Sequence, residues 1–259
     1  MTEQRSRNPL WIAYETLAMI VGLGTLAAMC LVWLPFAMLL NPLLPRRIGQ
    51  PLGRAVISVG FRGYLGLLTL LCASRFDLSD LDRLRGQGPL IVAANHPSLL
   101  DAVMIVSRLP NAVCVMKASL LDNILFGAAA RLARYIRNNA PLEMILNARG
   151  ELQRGAHVVI FPEGTRTTHF PVDACQATVG LISRRSGVPV QTLIIEFSTP
   201  YLGKAWPLWR RPVLPLSCRI RLGRRFAAPT DIPAFTAELE AYFRSEMGGR
   251  PPSDAAIAV

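Results

Sequence analysis

The sequence predicts an α/β fold, a mixed sheet flanked by helices, behind an N-terminal two-helix membrane anchor. Three observations predict it. Thr16 to Leu40 carry no charged side chain, a run longer than the roughly 20 apolar residues that cross a hydrocarbon core. Beyond Ser74, short valine- and isoleucine-rich runs alternate with helical patterns, as strands and crossover helices do. Hydrophobic residues make up 51% of the 259 and charged ones 17%, with mean hydropathy +0.33, so the chain has apolar surface to place against something other than water.

Residues 1–74 form the expected anchor. The run from Thr16 to Leu40 is too long for a signal-peptide core, has no small-residue cleavage site, and is followed by Arg46 and Arg47, so it is read as retained. Ala55 to Ala73 is a second apolar stretch, interrupted by Arg62 and preceded by Arg54. It suits a helix lying at the interface with those arginines turned toward lipid phosphates. Pro42, Pro45 and Pro51 punctuate the junction, giving either a re-entrant pair or one span plus one surface helix. The excess of arginines after Leu44 over those at Arg5 and Arg7 puts the following segment on the cytoplasmic face.

Residues 75–230 form the expected main domain. Strands are predicted at Leu90–Ala94, Ala112–Met116, Val158–Phe161, Val188–Ile195 and Ser217–Leu222. Helices are predicted at Leu99–Arg108, Leu120–Tyr135, Leu142–Arg154 and Ala174–Arg185. In residues 231–259, Asp231–Met247 reads as an amphipathic helix and GGRPPSDAAIAV as a loose tail.

The 28 lysines and arginines against 17 acids give a net charge of +11, which suits nucleic acid or an anionic membrane face. Hydropathy favours the membrane, and no nucleic-acid-binding signature is present. Five scattered cysteines without a C-x-x-C pair argue against a disulfide framework or zinc cage. The three histidines, His96, His157 and His169, lack metal-ligand spacing, so no metal and no cofactor are expected.

The chemistry concentrates in two segments. In AANHPSLLDA, a buried strand ends at Asn95-His96 and a helix follows, so Asp101, one turn in, can return within hydrogen-bond reach of the His96 imidazole. An acid so placed fixes the tautomer of a general base. Ser98 lacks a G-x-S-x-G elbow and reads as a helix-start hydrogen bonder, not a nucleophile. In IFPEGTR, a strand ends in a tight turn that presents Glu163, backbone N–H groups and Arg166 at the same sheet edge, with Arg166 suited to a phosphate.

Together NHPSLLD and FPEGTR resemble the glycerolipid acyltransferase family typified by 1-acyl-glycerol-3-phosphate acyltransferase, over roughly residues 75–225. The resemblance implies that His96 deprotonates an acceptor hydroxyl, that Asp101 orients it, and that Glu163, Gly164, Thr165 and Arg166 bind the acceptor's glycerol and phosphate. It also points to Lys117 and Arg137 as phosphate contacts, although Arg137 in YIRN is displaced by one from the family's F-I-x-R position. The implied reaction moves a fatty acyl group from acyl-CoA or acyl carrier protein to a lysophospholipid at a membrane. HFPVDACQ after FPEGTR, and Gln191-Thr192 after Val188-Pro189, depart from the family pattern. They leave open a non-glycerophosphate acceptor, as in aryl polyene or ornithine lipid pathways. Thioester hydrolysis and a non-enzymatic membrane scaffold are the rival readings.

Overall fold

The computed structural model describes residues 8–207 and 209–248. The arginines at 5 and 7 and the tail from 249 lie outside them. The chain opens with two long helices, α1 (Pro9–Leu43) and α2 (Arg46–Leu71). Pro9 starts α1 behind Asn8, whose side chain accepts the Leu10 N–H at 3.0 Å. Leu44 and Pro45 are both extended and separate the two helices, because a residue before proline is pushed out of the helical region. Both are long and apolar enough to cross a membrane.

A strand β1 (Ser74–Asp77) and a short helix α3 (Ser79–Asp82) lead into the domain. There follow β2 (Ile91–Ala94), α4 (Leu100–Arg108), β3 (Ala112–Met116), α5 (Ala118–Asp122), α6 (Ile124–Leu132) and β4 (Ile136–Arg137). The chain continues through α7 (Pro141–Gln153), β5 (His157–Ile160), α8 (Thr178–Ser186), β6 (Val190–Phe197), β7 (Leu216–Phe226) and α9 (Ile232–Gly248). The sheet runs β1-β7-β6-β2-β5-β3-β4. Strand β2 lies parallel to both β5 and β6, while β7 runs antiparallel to β6, so the sheet is mixed. The carboxyl ends of β2, β3, β4, β5 and β6 therefore share one edge.

Side chains alternate across the sheet and separate two cores. Val92 and Ala94 join Leu100, Met104, Leu65 and Leu68 on the side of α1, α2 and α4. Ile91 and Ala93 join Met144, Leu152, Ile182 and Leu239 on the side of α7, α8 and α9. All four β2 residues are buried, as a central parallel strand requires.

The structure changes three expectations. Arg54 does not reach for lipid phosphates, and Arg62, though exposed, turns donors to the domain. Arg54 is 5% exposed and donates to the Ala133 carbonyl, Asn111 and Glu151, while Arg62 donates to the Ser107 carbonyl. A guanidinium buried against the domain must spend its donors there. The helix expected over Leu120–Tyr135 is two helices, broken at an extended Asn123 whose side chain accepts the Leu125 N–H. Strand β7 extends to Phe226, and β1 and β4, not expected from the sequence, occupy the two edges.

Candidate active site

The site is built where β2 leaves the sheet. Asn95 is buried and continues the ladder with its side chain, accepting the Ile195 N–H at 2.7 Å and donating to the Ile195 carbonyl at 2.9 Å. This tie fixes the backbone direction at which His96 emerges. The His96 main chain is held on both sides by the second segment: its N–H donates to Glu163 Oε1 at 2.9 Å, and its carbonyl accepts the Thr167 N–H at 2.7 Å.

The imidazole is fixed as firmly as the backbone. Its Nδ1 lies 2.8 Å from Asp101 Oδ2, and its face stacks on Phe161 with centroids 3.8 Å apart and planes 12° off parallel. Asp101 Oδ2 also accepts the Ser98 N–H, and Ser98 Oγ accepts the Leu100 N–H, as a helix-start hydroxyl does. Asp101 is wholly buried, whereas the His96 side chain keeps 17% of its surface exposed. Burial pushes the Asp101 carboxyl up to about 6, with the hydrogen bonds from His96 and Ser98 pulling the other way. With Nδ1 donating to the carboxylate, Nε2 is the nitrogen able to accept a proton.

Glu163 joins the two segments. Only 4% exposed, it accepts from the His96 N–H, the Thr167 hydroxyl and the Asp173 N–H. Burial raises its pKa and those three bonds oppose the rise, the two from Asp173 and Thr167 most strongly. Its oxygens are thus held by donors of the chain itself. Gly164 sits at φ +70°, and Gln176 lies so close that any side chain there would collide with it. Gly164 and Thr165 are exposed. Arg166 is half-buried, with Nη1 donating to the carbonyls of Leu202 and Gly203, each at 2.9 Å.

His96, Asp101, Glu163 and Arg166 are therefore gathered by adjacent strands β2 and β5. Lys117, after β3, and Arg137, the last residue of β4, stand farther along the same edge. Lys117 is exposed. Arg137 is clamped by Asp122, with Nη1 at 3.1 Å from Oδ2 and Nη2 on Oδ1. A guanidinium spent on a carboxylate fits poorly as the phosphate contact expected of it.

The sequence reading left Asn95, Phe161 and Thr167 without roles, although each lies in or beside a quoted motif. The Leu202–Lys204 loop, where Lys204 also meets Thr168 Oγ1 at 3.1 Å, carried no local signal. His169 and Asp173 close a turn: Asp173 accepts the N–H groups of Thr168 and His169, which hold its carboxyl down at about 2. Among the described residues no group of His, Cys, Asp and Glu is placed to hold a metal ion.

A base oriented by a buried acid, beside an anion-compatible turn, is equipped to activate a hydroxyl. The comparisons agree with that chemistry. Residues 75–196 match the family described as Acyltransferase, a span that contains both segments. The fold matches the crystal structure of the 1-acyl-sn-glycerophosphate (LPA) acyltransferase, PlsC, from Thermotoga maritima, with a TM-score of 0.65, 16% identity, and coverage of 92% of this chain and 100% of that one. No curated protein matches the sequence. Both motifs lie within the matched span, so over residues 75–196 the chain is similar to the acyltransferase family.

Proposed function

We propose that this acyltransferase moves a fatty acyl group from acyl-CoA or acyl carrier protein onto the free hydroxyl of a lysophospholipid, at the cytoplasmic face of a membrane. The observation that carries the reading is the His96–Asp101 contact at 2.8 Å, with the ring braced on Phe161 and its other nitrogen open to a substrate. In the reaction, His96 Nε2 takes the acceptor's hydroxyl proton while the oxygen attacks the thioester carbonyl. The tetrahedral intermediate collapses, the C–S bond breaks, and the thiolate recovers the proton from the imidazolium. A thioester is already activated, so a positioned alcohol and a base suffice without a covalent serine.

The membrane setting is supported by exposed apolar side chains along α1 and α2, among them Val32, Phe36, Leu39, Val59 and Leu70. A lipid acceptor on such a surface reaches the site without crossing water. Arg166 retains donors beyond Nη1 for an anionic head group. One observation favours a second acceptor class: His169, 87% exposed, stands on the turn that Asp173 closes against Glu163, where the family pattern differs. A non-glycerophosphate lipid alcohol is that second reading.

The test is incubation of purified enzyme with labelled acyl-CoA and acyl carrier protein against a panel of lyso-lipids, with products read by mass spectrometry. Lysophosphatidate turnover that falls in Arg166→Ala supports the first acceptor. Turnover of a non-phosphorylated lipid alcohol alone supports the second. Fatty acid release without acceptor dependence removes both.

A further inference from the structure

We infer that the cleft between α7 and α8 is the docking surface for the acyl carrier protein, an inference that rests on the acyl-transfer reading and narrows its donor. The cleft has a volume of about 250 Å³ and is lined by Leu142, Leu146 and Leu181 with Arg149, Arg184 and Arg185 around them. Leu142 is 66% exposed and Leu146 55%. Arginines late in a helix complement its dipole and alone would need no further explanation. Two solvent-facing leucines beside three cations, with no acid lining the same cleft, do need one. An apolar strip bordered by one sign of charge is complementary to an acidic helix with an apolar face.

Topology selects a protein over a lipid surface. The α7 and α8 side chains pack with Ile91 on one face of the sheet, and those of α1 and α2 with Val92 on the other. The α1 and α2 side chains packed on Val92 thus lie across the sheet from this cleft, with α2 reaching α7 where Gln50 and Arg54 meet Glu151. Coenzyme A, a small polyanion, has no use for the exposed leucines Leu142 and Leu146 of α7. The position suits delivery as well: α7 and α8 both start at the carboxyl edge of the sheet, where His96 stands, and they cover β5 and β2, the strands that carry the two reactive segments. A carrier seated there can pass a flexible acyl-bearing arm over that edge.

The test compares wild type with Arg149→Glu/Arg184→Glu/Arg185→Glu, and with Leu146→Ser should the triple variant not fold. Binding of palmitoyl acyl carrier protein is measured by fluorescence anisotropy, kinetics with both donors by product formation, and affinity for anionic vesicles by sedimentation. Carrier binding weakened by at least about tenfold, with KM for the acyl carrier raised in step and kcat/KM for palmitoyl-CoA unchanged, is the expected result. Unchanged carrier binding, or a wild type that binds no carrier, overturns the inference. Loss of vesicle binding in place of carrier binding also overturns it and assigns the face to lipid. Arginine-dependent carrier binding by an enzyme that transfers from neither donor sustains the docking surface while removing the acyl-transfer reading. Transfer from palmitoyl-CoA alone does the reverse.

Discussion

At the scale of single residues, the site combines a partly buried histidine with a wholly buried acid, and the two make different predictions. His96→Ala removes the proposed proton acceptor and is expected to lower kcat by about 10²–10⁴-fold with KM little changed, measured in steady-state assays. The pH dependence follows from Asp101. Its carboxyl must be ionised to hold the imidazole, and burial raises its pKa to about 6, so kcat/KM is expected to fall as pH drops through about 6. The linkage to stability has the opposite sense. An acid whose pKa is raised on folding adds stability below the ordinary carboxylate range, near 3.9, and loses it as pH climbs through the folded value. The melting temperature of Asp101→Asn relative to wild type is therefore expected to rise between pH 4 and pH 8, while its activity at pH 8 falls. A parallel pH dependence of the two proteins would rule out the buried-acid account.

At the scale of elements, α2 is tied to the domain by one internal ion pair. Arg54 Nη2 lies 2.6 Å from Glu151 Oε2, with both side chains below 10% exposure. Removing one partner strands the other charge, so Glu151→Ala is expected to cost about 3–5 kcal/mol in urea unfolding, whereas a joint Arg54→Met/Glu151→Leu change is expected to cost far less. This pair was invisible in the sequence, because Arg54 beside an apolar run looks the same whether it faces lipid or protein. The central strands were legible for the reason that makes them central: β2 is wholly apolar, β5 is apolar after His157, and both are short, buried and followed by polar motifs. The edge strands SRFD and IR have neither length nor apolar pattern, and only their partners make them strands. The break at Asn123 escaped notice because the helical periodicity continues through it. Within the site, the His96–Asp101 contact was readable from spacing across a strand-to-helix turn. The burial of Glu163 was not, since its partner His96 is brought to the turn of Thr167 and Asp173 only by the pairing of β2 with β5.

At the scale of the whole molecule, one face of the sheet is given to apolar helices and the carboxyl edge to chemistry. Glu15, buried in α1, pairs with Arg211 at 2.8 Å, so the first helix is fastened to the β6–β7 connection, which also supplies the Leu202 and Gly203 carbonyls to Arg166. The exposed apolar side chains of α1 are expected to set membrane affinity: Val32→Asp/Leu39→Asp should lower partition onto lipid vesicles by about tenfold or more, read by co-sedimentation, with the fold retained by circular dichroism. Equal partition would locate the lipid contact elsewhere. The Asn95 tie has a broader consequence. By lashing the exit of β2 to Ile195, it makes the catalytic turn inherit the cooperativity of the central sheet and not the looseness of a surface loop. Denaturant should then abolish turnover and tertiary circular dichroism at a single midpoint, with no window in which an inert enzyme keeps its native spectrum.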